Sequence, residues 1–525
     1  MLTTSAYAEV VNNHFNIFNI LNKLKILTII FLLTALAVLA THSLDSINQD
    51  IGRHLKTGEI IWQTKSIPQT NLFSYTEPDR PFINHHWLSE VVFYLVDRLA
   101  GLKALIILKV ITLTAVFALV AAAVYRRTKT WALFPALLLG WLVFFDRSDV
   151  RPEIFSYLFL AFFLFAIFRA KYSSKFKYLY ILPLIEIFWV NSHIYFIIGP
   201  ALLFFLLLDQ KVRRVEPPVF KKTLQIFLLT GLATLLNPNF IKGALAPLTI
   251  LKNYGYTIVE NQSIFFLTDY GILGRQIALF EISLVILIIS FIVAFSQKRP
   301  VIFEFLAALF FTVLAIKMIR NFGLYGLAFG PLIALNFSTL KLPTWLRTKP
   351  AKVGIYLSGL ALIWILIVSA VNNNFYQWYQ SGKRFGLTIP AGAARGVEFI
   401  KANKIQGPVF NNFDVGSFLI WKLYPEQKVF VDGRPEAYST DFFEKIYKPM
   451  QTDPAVWGKY SREYGINYVF FDHYDITPWA RTFLARISQD PNWSKIYLDD
   501  SAVVFIKRTP GNKNLINRFE INTSH

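Results

Sequence analysis

A chain of 525 residues that is 54% hydrophobic, with a mean hydropathy of +0.43, is too apolar for a water-soluble globule and fits a protein that crosses a membrane many times. Its net charge of +20 does not argue for nucleic acid, because Lys and Arg fall between apolar runs, where they set orientation in a membrane. The absence of cysteine excludes disulfides, thiolate catalysis and thiolate metal sites.

The first apolar run, Ile26 to Ala40, follows Lys23 and Lys25. It predicts an uncleaved helix over 24–41 rather than a signal peptide cut at Ala40, since the segment behind it is polar but not linker-like. Further spans are predicted over 102–125, 131–146, 152–169, 177–191, 193–209, 223–237, 276–296, 301–317, 320–338 and 353–371, about eleven in all. The positive-inside rule then orients them. With the N-terminus in the cytoplasm, each inward loop is basic: Arg126, Arg127 and Lys129; Arg169 to Lys177; Lys211 to Lys222; Lys298 and Arg299; Lys341 to Lys352. Everything after residue 371 then lies outside the cytoplasm, in a cell (inner or plasma) membrane protein. The stretch Trp87–Ala100 is short and carries Glu90, Asp97 and Arg98, which predicts an amphipathic helix at the outer interface. The first outer loop is then 42–101, and long ordered loops are usually functional.

From residue 372 the composition turns soluble. Short β-type runs at Pro408–Phe410, Lys428–Val431, Tyr468–Phe471 and Val503–Ile506 alternate with helical stretches at 391–403, 414–424 and 478–489. The division is a membrane domain over 1–371 and an extracytoplasmic α/β domain over 372–525. No internal repeat or low-complexity tract is visible.

The polar residues that break the apolar pattern fall on the outer side. In Asp45-Ser-Ile-Asn-Gln-Asp-Ile-Gly-Arg-His54, the Asp50 carboxylate can serve as general base or metal ligand, or merely cap the helix that follows. The turn Phe145-Asp-Arg-Ser-Asp-Val-Arg-Pro-Glu153 is dense in charge; it can be a solvated turn, bind phosphate through Arg, or hold a cation through Asp146 and Asp149. Asn84-His-His-Trp87 has metal-ligand residue types without ligand spacing. Asn191, His193 and Asn237 sit near span ends, where polar groups cap helices or bond between them. Lys317 and Arg320 can snorkel to headgroups or pair with a lipid phosphate. Charged groups at such places are functional candidates by default.

This arrangement resembles the GT-C superfamily of membrane glycosyltransferases, which includes protein O-mannosyltransferases, oligosaccharyltransferases and the lipid A aminoarabinose transferases. Within it, the chain looks like bacterial multi-pass proteins described as glycosyltransferase-like. The matching stretches are Asp50–Gly58, Pro68–Tyr75, Asn84–Glu90, Arg151–Ser156, Asn237-Pro238, Arg320-Asn321, Phe413-Asp-Val-Gly-Ser417 and Val431-Asp-Gly-Arg-Pro435. The first outer loop carries no Asp-x-Asp pair, because Asp45 and Asp50 are five residues apart.

The resemblance implies a polytopic α-helical membrane protein, a GT-C-like bundle with a small C-terminal soluble α/β domain. The implied activity moves a sugar from a polyprenyl-phosphate donor to an acceptor at the outer face, with inversion. Asp50 takes the base role, Arg151 and Arg320 contact the donor phosphate, and His54, His85, His86, Glu90, Asn191, His193 and Asn237 contact sugar or acceptor. Asp146 and Asp149 are the candidates for a divalent cation, Mg or Mn. Partners are the lipid-linked donor and membrane lipids, not nucleic acid. A second reading stays open: a non-catalytic scaffold or a transporter with a partner-binding C-terminal domain. A transporter places ionisable groups at mid-membrane, and here Glu186 is the main one.

Overall fold

The computed structural model describes residues 23–45, 50–173, 175–248, 253–272, 274–341 and 343–521. Residues 46–49 of the Asp45–His54 run lie outside the described residues. Each segment read as a span is helical: Lys23–Ala40, Leu102–Val124, Thr130–Phe144, Glu153–Ser173, Leu182–Ser192, Ile198–Val212, Pro217–Ala233, Arg275–Ser296, Ile302–Lys317, Phe322–Phe337 and Lys349–Val371. Among the described residues, six helices are long and apolar enough to cross a membrane by length and composition: Lys23–Ala40, Leu102–Val124, Glu153–Ser173, Ile194–Val212, Arg275–Ser296 and Pro350–Val371. The others are shorter than the roughly 20 residues that bridge a hydrocarbon core.

The short helices find their partners inside the bundle. Phe322–Phe337 is apolar all round and almost wholly buried. It crosses Thr130–Phe144 at the pair Gly140 and Gly326, each of which faces the carbonyl oxygen of the other. A Cβ on Gly326 would stand 2.4 Å from the Gly140 oxygen, so the two backbones touch where neither has a side chain. The chain breaks between Leu182–Ser192 and Ile198–Val212 at His193, whose backbone is extended.

The interfacial segment is a helix over Trp87–Ala100, and it packs against a second loop helix, Ile51–Thr64. That packing is close: a Cβ on Gly58 would come within 2.1 Å of the Glu90 carbonyl oxygen.

The tail carries a four-stranded sheet of order β1-β2-β4-β3. β1 (Val409–Asn411) runs parallel to β2 (Tyr468–Asp472), β2 antiparallel to β4 (Ala502–Lys507), and β4 antiparallel to β3 (Trp493–Leu498). Side chains alternate between two packed faces. Phe410, Val469, Phe471, Val503 and Phe505 join one cluster, and Val409, Tyr468, Phe470, Val504 and Ile506 join the other. Helices Ala394–Ala402, Gly416–Leu423 and Pro478–Ile487 fall where the pattern placed them.

Two segments differ from the sequence reading. Lys428–Val431 is not a strand of this sheet, because its backbone is taken by the first outer loop. The Val429 amide donates to the Phe73 carbonyl at 3.0 Å, and the Tyr75 amide donates to the Val429 carbonyl at 3.2 Å. Trp493–Leu498 is a strand that the pattern missed; a bulge between Lys495 and Tyr497 breaks its alternation.

The Gly140–Gly326 contact leaves no room for a side chain. Gly326→Val is expected to lower the melting temperature in detergent by several degrees, consistent with an overpacking cost of about 1–3 kcal/mol. Gly354→Ala, at a helical position open on all sides, serves as the neutral control.

Candidate functional site

Asp50 immediately precedes helix Ile51–Thr64 and stands in the left-handed region, at φ 55°. Its side chain does not cap that helix. Instead the Ser417 hydroxyl donates to Asp50 Oδ1 at 2.6 Å. The other neighbour of this carboxylate is Gly433, where a Cβ would stand 2.4 Å from Oδ1. So the first outer loop meets both tail motifs at one carboxylate.

The loop bearing Gly433 is fixed by buried ionic contacts. Arg434 holds both Asp432 oxygens, through Nε and Nη2 at 2.7 Å each, and donates to Asn71 Oδ1 at 2.8 Å. The Tyr438 hydroxyl donates to Asp432 at 3.0 Å. The guanidinium also lies over the Phe82 and Phe73 rings. Burial alone would raise Asp432, but Arg434 outweighs it and holds the carboxyl below the usual range. Asn71, Phe73 and Phe82 belong to the first outer loop, so loop and tail share one polar core.

Asp414 lies on the same turn as Ser417. It keeps solvent access although protein surrounds it on most sides. Burial, then the neighbouring charges of Asp475, Asp50, Asp472 and Glu260, push its carboxyl up to about 7. The loop that bears Glu260 also docks on the tail, with Tyr256 stacked on Phe413 at 4.1 Å.

A second group gathers at the same end of the bundle. Arg147 donates to both oxygens of Glu153 at 2.9 Å and stands 3.0 Å from Glu260. Arg151 donates to both Glu260 oxygens, at 3.0 and 2.8 Å. Arg320 donates to Glu153 at 2.9 Å and to Asn261 at 2.8 Å. Burial pushes Glu260 up, but Arg147, Arg151 and Arg320 together outweigh it and hold the carboxyl at about 2. Three guanidiniums thus face Glu153 and Glu260, with the charges of Asp146 and Asp149 acting on the same group. The Arg151 and Arg320 side chains remain 21% and 24% exposed, enough to meet a ligand.

The remaining sequence candidates connect these groups. Glu90 is fully buried: His54 Nδ1 lies 2.9 Å from Oε1, Asn84 donates to Oε2 at 2.6 Å, and Arg53 is 3.6 Å away. Burial raises Glu90 to about 7 against the pull of Arg53 and Asn84. His54, His86 and His193 form a chain of ring contacts. His193 Nδ1 lies 2.9 Å from Ser156 Oγ. Asn191 accepts from the Trp87 indole at 2.8 Å, tying the interfacial helix to the bundle. His85 and Asn237 line one small pocket with Asn84, Trp87 and Asn239. Burial lowers His85 to about 4, so it is neutral near pH 7. Asn237 shapes its own turn, accepting from the Asn239 amide at 2.8 Å.

Asp146 and Asp149 do not fit a divalent cation. Lys383 Nζ sits 3.1 Å from the Asp149 carboxylate and donates to the Asp146 carbonyl at 3.0 Å. Among the described residues, no three His, Cys, Asp or Glu side chains are grouped to hold a metal ion. Sequence reasoning missed Glu260 and Lys383, and it quoted Ser417, Gly433 and Asp414 without a role. Glu260, at the head of the polar run Glu260-Asn-Gln-Ser263 in the long loop 238–275, was the available signal.

The fold is shared with solved oligosaccharyltransferase and ArnT structures. The chain is similar in structure to the archaeal oligosaccharyltransferase AglB from Archaeoglobus fulgidus, solved in complex with an inhibitory peptide and a dolichol-phosphate; the TM-score is 0.58 at 11% identity over 89% of this chain and 73% of that one. It is also similar to the Archaeoglobus fulgidus oligosaccharyltransferase solved with Zn and sulfate (TM-score 0.54, 11% identity, 91% of this chain and 73% of that one). ArnT from Cupriavidus metallidurans in the apo state gives a TM-score of 0.53 at 12% identity, over 91% of this chain and 97% of that one. No protein-family model matches the chain, and no curated protein matches it in sequence.

Glu90 predicts a pH signature. Its folded value near 7 exceeds the usual carboxylate value, so the folded state binds the proton more tightly than the unfolded chain. Its contribution is therefore most favourable below about pH 4.5 and is lost as pH rises to about 7. Between pH 4.5 and 8 the melting temperature of the wild type is expected to fall relative to Glu90→Gln. Parallel curves would contradict the assignment.

Proposed function

We propose that this protein is a membrane glycosyltransferase that moves a sugar from a polyprenyl-phosphate donor to an acceptor at the outer membrane face, with inversion. The observation that carries this reading is a pair of partly exposed guanidiniums, Arg151 and Arg320, at the end of the bundle where Asp414 lies within electrostatic reach of both Glu260 and Asp50, in a fold shared with solved glycosyltransferases. A donor of this type keeps its phosphate at headgroup depth and projects its sugar into the outer loops.

In this reading Asp50 accepts the proton of an acceptor hydroxyl. The hydroxyl oxygen bonds to the anomeric carbon as the bond from that carbon to the phosphate oxygen breaks, and the electron pair leaves with the polyprenyl phosphate. Arg151 and Arg320 offset the charge that develops on the phosphate. His54, His85, His86, Glu90, Asn191, His193 and Asn237 shape the surface where sugar or acceptor rests. No step is drawn through Asp146 or Asp149, since Lys383 already engages the latter.

The same reading keeps all eleven helices as spans, the membrane domain over 1–371, the N-terminus in the cytoplasm and the tail outside the cell membrane. The placement of charge supports this orientation. Helix Glu153–Ser173 carries Glu153 of the arginine cluster at one end and Lys171, of a basic loop, near the other. Twenty-one residues separate the two ends by about 30 Å. The transporter alternative rests on Glu186, whose carboxyl is packed against Gly199 and Phe163 with no hydrogen-bond partner among the described residues. That is a filled site rather than a path.

The test is transfer by purified protein in lipid, with a panel of radiolabelled polyprenyl-phosphate sugars. Wild type is expected to turn over at least one donor, and Asp50→Asn to lower kcat by about 100-fold or more with folding unchanged. Arg151→Lys, which keeps the charge but loses the fork, is expected to raise the donor KM. Well-folded wild type that neither binds nor turns over any donor would favour the scaffold or transporter.

A further inference from the structure

Asp50 has an unusual set of neighbours for a carboxylate that begins a helix. It stands in the left-handed region, its side chain leaves its own helix uncapped, and its Oδ1 accepts instead from a serine 367 residues away in sequence. Two glycines, Gly433 and Gly52, explain how the two segments come so close, and a third, Gly416, brings the two tail motifs together. Gly433 faces Asp50 itself. Gly52 faces the Ser417 carbonyl oxygen, which a Cβ would meet at 2.6 Å, and Gly416 faces the Val431 carbonyl at 2.2 Å. None of the three has a positive φ, so backbone conformation does not require glycine at these places. Close approach does.

We infer that Ser417 is a positioning residue for Asp50, and that the C-terminal segment completes the active site of the membrane domain by presenting Ser417 and the bare backbone of Gly433 to that carboxylate. This rests on the glycosyltransferase reading. The Ser417 hydroxyl occupies one lone-pair direction of Oδ1 and fixes the rotation of the carboxyl group, so that Oδ2 is turned to a defined side. Gly433 lies against the same carboxyl group, nearest Oδ1, at a distance that admits no side chain. The loop carrying Gly433 is itself held by Arg434 to Asp432 and Asn71, so the register of the clamp is set by a buried contact between tail and outer loop. Ser417 is fully buried and comes from a helix that packs on Ile51–Thr64, so its hydroxyl has little freedom to turn elsewhere. A positioning group of this kind acts on the rate of the chemical step and leaves donor binding alone, because the donor does not touch it.

The test uses the full-length protein in lipid, with the radiolabelled polyprenyl-phosphate sugar that supports the highest wild-type turnover. Ser417→Ala removes the hydroxyl and little volume. It is expected to lower kcat 10- to 100-fold with the donor KM within twofold of wild type. Gly433→Ala, which pushes a methyl onto the carboxylate, is expected to produce the same split. Gly458→Ala, in an open helix of the tail, provides the comparison for general effects of tail substitution. In the background of Asp50→Asn, Ser417→Ala is expected to add less than a twofold further loss, because its effect passes through that carboxylate. Ser417→Ala with unchanged kcat, or with its loss undiminished in the Asp50→Asn background, would overturn the positioning role while leaving the transferase reading intact. Folded wild type that uses no donor would overturn both together.

Discussion

The structure depends on one constraint, the contact of the first outer loop with the tail at Asp50. A carboxylate, a serine hydroxyl and the bare backbones of Gly52 and Gly433 meet there. Neither segment could adopt its local structure alone. Lys428–Val431 loses its place in the sheet because the outer loop claims its backbone, while Phe73 and Phe82 of the loop join the apolar clusters of the tail and Ile51, Leu55 and Phe93 pack with the bundle. The Asp432–Arg434 pair sits inside this junction. Buried ion pairs are costly to desolvate and are tolerated where every lone pair finds a donor. Here Arg434 Nε, Arg434 Nη2 and the Tyr438 hydroxyl fill the Asp432 oxygens.

The helical part was legible in the sequence because membrane spans are written in composition and in the basic loops between them. The positions of the eleven helices follow from that pattern alone. Their roles differ, as Leu182–Ser192 shows: it is only eleven residues long, and the break at His193 is set by tertiary contacts, including Ser156 and the His86 ring, that no window of hydropathy contains. The tail was less legible. Val409–Asn411 and Tyr468–Asp472 announce themselves through aromatic and β-branched runs, whereas Trp493–Leu498 hides behind its bulge.

The candidate site was legible as residue types and illegible as pairings. Asp50, Arg151, Arg320, His54 and Glu90 stand out in a chain this apolar. That Asp50 answers to Ser417, Arg151 to Glu260 and Glu90 to His54 depends on segments from 36 to 367 residues apart. The split of Asp146 and Asp149 from a metal role has the same origin. Two nearby aspartates look like ligands until Lys383, from beyond the last helix, is seen beside them.

The two ends of the bundle place the chemistry. At the basic-loop end, Lys171 lies between Asp209 and Glu304 at 2.6 and 2.7 Å, all three side chains being at most 2% exposed, with Arg213 and the Phe303 amide completing Asp209. Such a cluster is sealed and satisfied; it joins three helices and offers nothing to a ligand. At the other end the guanidiniums of Arg151 and Arg320 are paired but partly exposed, and Asp414 lies within electrostatic reach of both Glu260 and Asp50. Charge that is buried and neutralised stabilises a fold. Paired guanidiniums that stay partly exposed can exchange a carboxylate partner for an anionic group such as a lipid phosphate.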